Sequence, residues 1–308
     1  MKKIIIAVLL VLIIVPLFVF LKYRYSYQLA ETNSGIGGYI EQKACDILFV
    51  GSSQSRQDYN IKIIDSVCGT SSYILAYNGM QPFIATEVVD YLTREYFKPA
   101  VIIMEAYPYL SVQEPRLADT RLFSDAPPDL KDTLINILKE NRGFSFGQWY
   151  ELVVRSENES LLMHMFTYNK KNNMSFKGSY QNKSVKGMKQ DFILTENNTG
   201  GNFDSILNTA QQLAHKELIE ICKQQGIKLI YIRPPVAAPV YYSEHYTYAS
   251  IILQNQIEDS LGVSYINNVK GFSNFEPNNF SDFYHLSTSG RDKYSELIAN
   301  VLKDIVFK

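Results

Sequence analysis

The sequence predicts a three-layer α/β/α sandwich: about five parallel strands with helices on both faces, one inserted cap region, and an N-terminal transmembrane helix. Three observations predict it. Short, nearly continuous apolar runs alternate with longer stretches of helical periodicity. The runs are apolar on both sides of the pleat, as strands of a parallel sheet covered on both faces must be. The chain also opens on an uninterrupted apolar segment closed by basic residues.

That segment runs from Ile4 to Leu21 without a charge, behind Lys2 and Lys3 and ahead of Lys22 and Arg24. About 18 residues suffice for a helix to cross the hydrocarbon layer. The bulky end of the run (Phe18, Val19, Phe20, Leu21) argues for an uncleaved anchor rather than a removed leader. No cysteine follows it in a lipoprotein-like setting. Lys2, Lys3 and the terminal amine set a slight positive-inside bias. The expectation is a single-pass protein whose N-terminus is cytoplasmic and whose remainder is extracytoplasmic. It divides into an anchor (1–25), a polar connector (26–44), and an α/β domain (45–308) with an insertion at about 109–201.

The strands are expected at 46–50, 73–77, 100–104, 227–232 and 263–266. Helical spacing covers 84–97, 203–225, 248–261 and 289–306. The interval between the third and fourth strands is too long for a crossover loop. It holds a helical pattern at 130–141, the only tryptophan (Trp149), a second helical stretch at 150–166, and a tract rich in Lys, Asn, Ser and Gly at 168–201. The interval reads as a cap over the strand ends; for its last part, an excursion without a role is the competing reading. In open α/β sheets, sites form beyond the carboxyl ends of strands. Ser53, Gly79, Glu105 and Arg233 fall there.

Composition excludes several classes. The net charge is −1 with no basic stripe, so no nucleic-acid partner is expected. Three scattered cysteines (Cys45, Cys68, Cys222) make no framework and lie in no zinc-type cluster, so buried thiols are expected and no metal or organic cofactor is implied. The 22 tyrosines and 17 phenylalanines could line a groove, but filling the core and surface explains them as well.

Two stretches carry chemistry. Cys45 to Val50 is an apolar run that ends in Gly51-Ser52-Ser53, where a strand-to-helix turn would lift a hydroxyl above the sheet beside free N–H groups. Asp282-Phe283-Tyr284-His285-Leu286-Ser287 sets a carboxylate three residues before an imidazole, just ahead of the last helix. A serine hydroxyl needs a base within hydrogen-bond reach, and the base needs a carboxylate to fix its tautomer. Ser53, His285 and Asp282 supply the three parts. Ser52 and Ser55 are alternative nucleophiles if the turn is shifted by a residue or two. Between the two stretches, Asn78-Gly79 could add donors to a substrate oxygen, though Asn-Gly is also an ordinary turn. The other histidines (His164, His215, His245) lack an acidic partner at short spacing.

Ile47 to Ser53, Asn78-Gly79 and Asp282-Phe283-Tyr284-His285-Leu286 together resemble the SGNH (GDSL-like) hydrolase superfamily. The likeness is to its membrane-anchored branch, which includes the D-alanyl-transfer protein of teichoic-acid modification and alginate-acetylation proteins. It spans roughly residues 45–306, leaving the insertion unaccounted for. It implies a flavodoxin-like sandwich with Ser53 as nucleophile, Ser52 in place of the usual aspartate, His285 as base and Asp282 as its orienting acid. The N–H groups of Ser53 and Gly79 would form the oxyanion hole, with Asn78, Ser52 and Arg233 around it. The implied activity is an esterase or O-acyltransferase acting on acyl esters, acetyl being the expected case, of a cell-surface or secreted polysaccharide. A multi-span membrane partner would supply the acyl group. One departure stands out: where family members carry an asparagine after the third strand, this chain has Met104-Glu105-Ala106-Tyr107-Pro108. Asn78 or Tyr107 could substitute, and Glu105 is expected to point away or to pair with Arg233 or Arg56. A scaffold that keeps the fold and binds glycan or partners is the alternative the departure favours.

Overall fold

The computed structural model describes residues 2–29, 33–106, 117–142, 145–154, 176–180, 184–188, 209–237, 257–258, 263–266 and 275–306. Five strands, β1 (Ile47–Gly51), β2 (Ser72–Ala76), β3 (Val101–Glu105), β4 (Lys228–Ile232) and β5 (Ser264–Ile266), form one parallel sheet in the order β2-β1-β3-β4-β5. This is the flavodoxin-like order, whose switch point lies between β1 and β3. Each strand matches an expected apolar run with its ends within a residue or two.

The helices are α1 (Lys2–Tyr25), α2 (Gly35–Gln42), α3 (Ser53–Asp58), α4 (Ile61–Cys68), α5 (Pro82–Glu95), α6 (Thr120–Asp125), α7 (Pro128–Arg142), α8 (Phe146–Trp149), α9 (Thr209–Gln225) and α10 (Thr288–Val306). A π-helical turn (Tyr150–Val154) continues α8. Because side chains alternate across a strand, the sheet feeds two cores. Leu48, Val50, Ile102, Met104 and Tyr231 join the side chains of α2, α5, α7 and α9 in one. Ile47, Phe49, Ile103, Ile230 and Ile232 join those of α4 and α10 in the other. The three layers follow from that period of two. The expected helix at 248–261 lies almost wholly outside the described residues. The same holds for the 155–166 part of the second stretch of the insertion, for Tyr107, and for His164 and His245.

Three elements differ from expectation. The stretch read as a polar connector contains α2, whose Ile36 and Tyr39 are fully buried; Tyr39 stacks on Phe97 at 4.2 Å and Tyr73 donates to the Gly35 carbonyl. Apolar residues at 36, 39 and 40 make a helical face that the flanking glycines obscure. The described parts of the insertion do not simply sit over the strand ends. Leu122, Phe123, Leu130, Leu134, Leu152 and Val153 extend the α5 side of the core. Further on, the Phe176–Ser179 turn receives the Ile74 N–H on the Lys177 carbonyl at 2.9 Å and so covers the edge of β2. Gly178 (φ +85°) lies flat against Ile74, where a Cβ would strike its carbonyl. The described part of this tract is therefore tied to the sheet.

The apolar run of α1 is not buried against the rest of the protein, and α1 is the only described helix long and apolar enough to cross a membrane. Its foot is docked onto the insertion. Lys22 Nζ donates to the Val154 carbonyl (2.8 Å) and Ser26 Oγ to that of Ser124 (2.8 Å). Lys131, almost completely buried, donates its ammonium to the Tyr23 carbonyl (2.8 Å) and to Ser26 Oγ (2.7 Å), and Tyr23 bonds Asp132. A cation at the carbonyl end of a helix is favourably placed. Burial lowers the Lys131 ammonium to about 8. Cys45, Cys68 and Cys222 are buried free thiols.

Candidate active site

Gly51 ends β1 and Ser52 caps α3, its hydroxyl accepting the Gln54 N–H at 3.5 Å. Ser53, the first residue of α3, stands partly exposed above the switch point. The turn is held from below by Glu105 at the end of β3. Its fully buried carboxylate accepts the Ser52 N–H (2.7 Å) and hydroxyl (2.5 Å), and the Ser55 N–H (3.0 Å) and hydroxyl (2.7 Å). Gly51 is needed for close approach: a Cβ there would run into the Ser55 hydroxyl and the Glu105 side chain. With the N–H groups of Ser52, Gln54 and Ser55 taken, that of Ser53 meets no acceptor among the described residues.

These bonds correct three expectations. Glu105 neither points away nor pairs with an arginine; it is the acceptor around which the turn closes. Ser52 has both its N–H and its hydroxyl turned to Glu105, so it offers neither to a substrate oxygen. Ser55, almost fully buried and bonded the same way, is no alternative nucleophile.

The imidazole arrives on a loop. Phe280 and Leu286, both buried, pair as an antiparallel bridge, and Ser281 N–H donates to the His285 carbonyl at 2.8 Å. The bridge closes the five residues between them and turns His285 outward. Asp282 Oδ1 accepts the N–H groups of Tyr284 (2.8 Å) and His285 (2.9 Å), as aspartates do in turns. The same carboxylate meets His285 Nδ1 at 2.8 and 3.0 Å. On the other side of the ring, Nε2 lies 2.8 Å from Ser53 Oγ. The separation in sequence is 232 residues. Burial opposes charge on Asp282, but the bonds from the His285 ring and the two N–H groups outweigh it and hold the carboxyl below its usual range.

Two side chains absent from the sequence reading lock the loop to α3. Gln54 Nε2 donates to the Tyr284 carbonyl at 2.7 Å, and Asp58 Oδ1 accepts the Leu286 N–H at 2.8 Å. Asp58 has no exposure, and burial drives its carboxyl well above the usual range. The signal for both lay in the six polar residues, Ser53 to Asp58, that follow an apolar strand. Such a run is polar on every face, so it could not all be solvated beside the sheet.

Gly79 adopts φ +61° in the turn after β2, where Met80 N–H returns to the Tyr77 carbonyl at 3.0 Å. Asn78 and Gly79 are exposed. Gly51 registers with Ala76, so the turns that hold Ser53 and Asn78 leave neighbouring strands at the same end of the sheet. Asn78 N–H donates to Asp119 Oδ2 (3.0 Å), just before α6, and Asp119 is ion-paired with Arg121. Arg233 is buried beyond β4, beside Tyr265 and two strands from β1. After it, Ala237 N–H donates to the Phe283 carbonyl at 2.9 Å, so the β4 exit braces the histidine loop. Arg56 is buried with its guanidinium 3.9 Å from the centre of the Tyr180 ring.

No family model and no curated protein matches the chain. Among solved structures it is similar to an active-site mutant of a family two carbohydrate esterase from Clostridium thermocellum in complex with celluohexase, at 9% identity and a TM-score of 0.40. The match covers 84% of this chain and 63% of that one. A likeness this loose carries no weight for chemistry.

Proposed function

We propose that this chain is a membrane-anchored, extracytoplasmic serine esterase or O-acyltransferase of the SGNH type. Its substrates would be acyl esters, acetyl foremost, of a cell-surface or secreted polysaccharide. One observation carries the reading: the continuous hydrogen-bonded series Asp282–His285–Ser53, with 2.8 Å on either side of the imidazole. In this reading Ser53 Oγ attacks the ester carbonyl as His285 Nε2 takes its proton, and Asp282 holds the ring in the tautomer that leaves Nε2 free. The oxyanion would rest on the N–H groups of Ser53 and Gly79. His285 returns the proton to the leaving alcohol, and water or a sugar hydroxyl then resolves the acyl-serine. The Ser53–His285 pair serves both outcomes, and the acceptor decides between them.

The test is labelling of the full chain by a serine-directed phosphonate, together with release of acetate from an acetylated polysaccharide. Ser53→Ala should abolish both, with turnover falling by roughly 10⁴-fold or more. Labelling that persists in Ser53→Ala refutes the assignment. The occupied, buried Glu105 favours a second reading. With no asparagine after β3, the fold could serve as a weakly active scaffold that binds glycan or partner proteins. That reading predicts normal cell-surface function in His285→Ala.

A further inference from the structure

Beyond Leu21, the described residues expose only five large apolar or aromatic side chains: Tyr25, Tyr96, Phe146, Tyr150 and Leu213. Scattered exposed residues of this kind are ordinary, but a cluster is not. Three of the five lie at the foot of α1 or on the element docked to it. Tyr25 is the last residue of α1. Phe146 and Tyr150 belong to the short helical rod formed by α8 and its π-helical continuation. Its far end, Val154, accepts the Lys22 ammonium.

The rod has a pattern of its own. Phe146, Trp149, Tyr150 and Val153 recur at i, i+3, i+4 and i+7, the spacing of one helical face. Val153 is buried in the core beside α1, Trp149 is partly covered, and Phe146 is 78% exposed with its ring stacked on Trp149 at 5.7 Å. The stripe therefore begins in the domain core at the docked foot of α1 and continues outward with nothing from the described residues over it. Ser145 and Gln148 cap the rod in a reciprocal box, so the exposed aromatics sit on an ordered element.

We propose that the Phe146–Tyr150 face, with Tyr25, lies in the headgroup layer of the membrane that α1 crosses. The domain then rests on the bilayer at a second contact and does not swing on one helix. The inference rests on α1 being a membrane span and is independent of the chemistry proposed for Ser53. Aromatic rings with an apolar body favour the membrane–water boundary. The Lys22–Val154 bond ties the end of this face to the helix read as the span.

The chain has one tryptophan, Trp149, so emission excited selectively from tryptophan and not from the 22 tyrosines reports on this face alone. The full chain is placed in nanodiscs made with phospholipids brominated at shallow or at deep acyl positions, and acrylamide is titrated from the aqueous side. The expected result is a loss of Trp149 emission that is larger with shallow than with deep bromines, together with weak quenching by acrylamide. The Phe146→Asp, Tyr150→Asp pair should reverse that preference while leaving the melting temperature of the domain unchanged, since both side chains are exposed. Free access of acrylamide without bromolipid quenching overturns the proposal by placing the face in water. Protection from both quenchers overturns it by placing protein, a second copy or another partner, over the face. A chain that fails to float with the nanodiscs at all removes the span of α1 and this contact together.

Discussion

The Gln54 side-chain amide donates to the carbonyl of Tyr284 at 2.7 Å, so the residue after Ser53 is bonded to the residue before His285. The Asp58–Leu286 bond repeats the arrangement on the far side of the imidazole. The 2.8 Å contact between Ser53 and His285 is thus flanked by two ties joining the same pair of segments.

Gln54→Met keeps the volume and removes the first tie. A reacting pair displaced by about 1 Å can lose 10²-fold in rate. Turnover is expected to fall by about 10- to 100-fold with the fold intact, read as kcat on an acetyl ester beside an unchanged melting curve. Wild-type turnover would show that the tie positions nothing.

Asp282→Asn preserves an oxygen for the N–H groups of Tyr284 and His285 but can present an amide to the ring nitrogen. A triad carboxylate replaced this way has cost about 10⁴-fold in turnover elsewhere. The Asp282 side chain is 53% exposed, so water can partly take its place. The expected loss is therefore about 10²- to 10³-fold. Because the carboxyl is held below its usual range, the acid limb of the pH–rate profile should not arise from its protonation.

Glu105→Gln would turn an amide NH₂ toward donors that now meet an acceptor. Leaving such buried groups unsatisfied costs about 1–3 kcal/mol. A lowered unfolding midpoint together with weaker phosphonate labelling at Ser53 is expected. A loss of stability with full labelling would show that Glu105 supports the fold but not the nucleophile turn.

Asp58 has the opposite electrostatic character. Burial raises its folded-state carboxyl well above the usual range; Glu105 and Asp282 push in the same direction, and the Leu286 N–H and Arg291 oppose them. The folded protein then holds a proton that the unfolded chain releases, so stability falls as pH rises from about 4 toward the folded value. Asp58→Asn keeps an acceptor for Leu286 and has no proton to lose. Its melting temperature should gain on the wild type as pH rises through that window; parallel curves would refute the account.

Much of this was legible in the chain. Short apolar runs such as 47–50 and 101–104 fit strands of a parallel sheet covered on both faces, and the strand ends fall within a residue or two of them. Ser53, Asp282 and His285 were visible because a hydroxyl at a strand-to-helix turn and a carboxylate three residues before an imidazole are recognisable at short range. Glu105, Gln54 and Asp58 were not. Their partners lie 50 to 230 residues away, and a buried polar group takes its role from whichever neighbours the fold delivers. The buried helix α2 was missed for another reason: Gly35, Gly37 and Gly38 look like a linker until Tyr73 and Tyr77 close over them.

The short helix α6 has a further consequence. Just before it, Asp119 grips the Asn78 turn; near its end, Ser124 accepts the hydroxyl of Ser26, at the base of the membrane helix. Six residues of helix span about 9 Å. For the proposed membrane-anchored enzyme, α6 therefore links the turn beyond β2 to the foot of the span, so that the proposed site is tethered near the lipid surface.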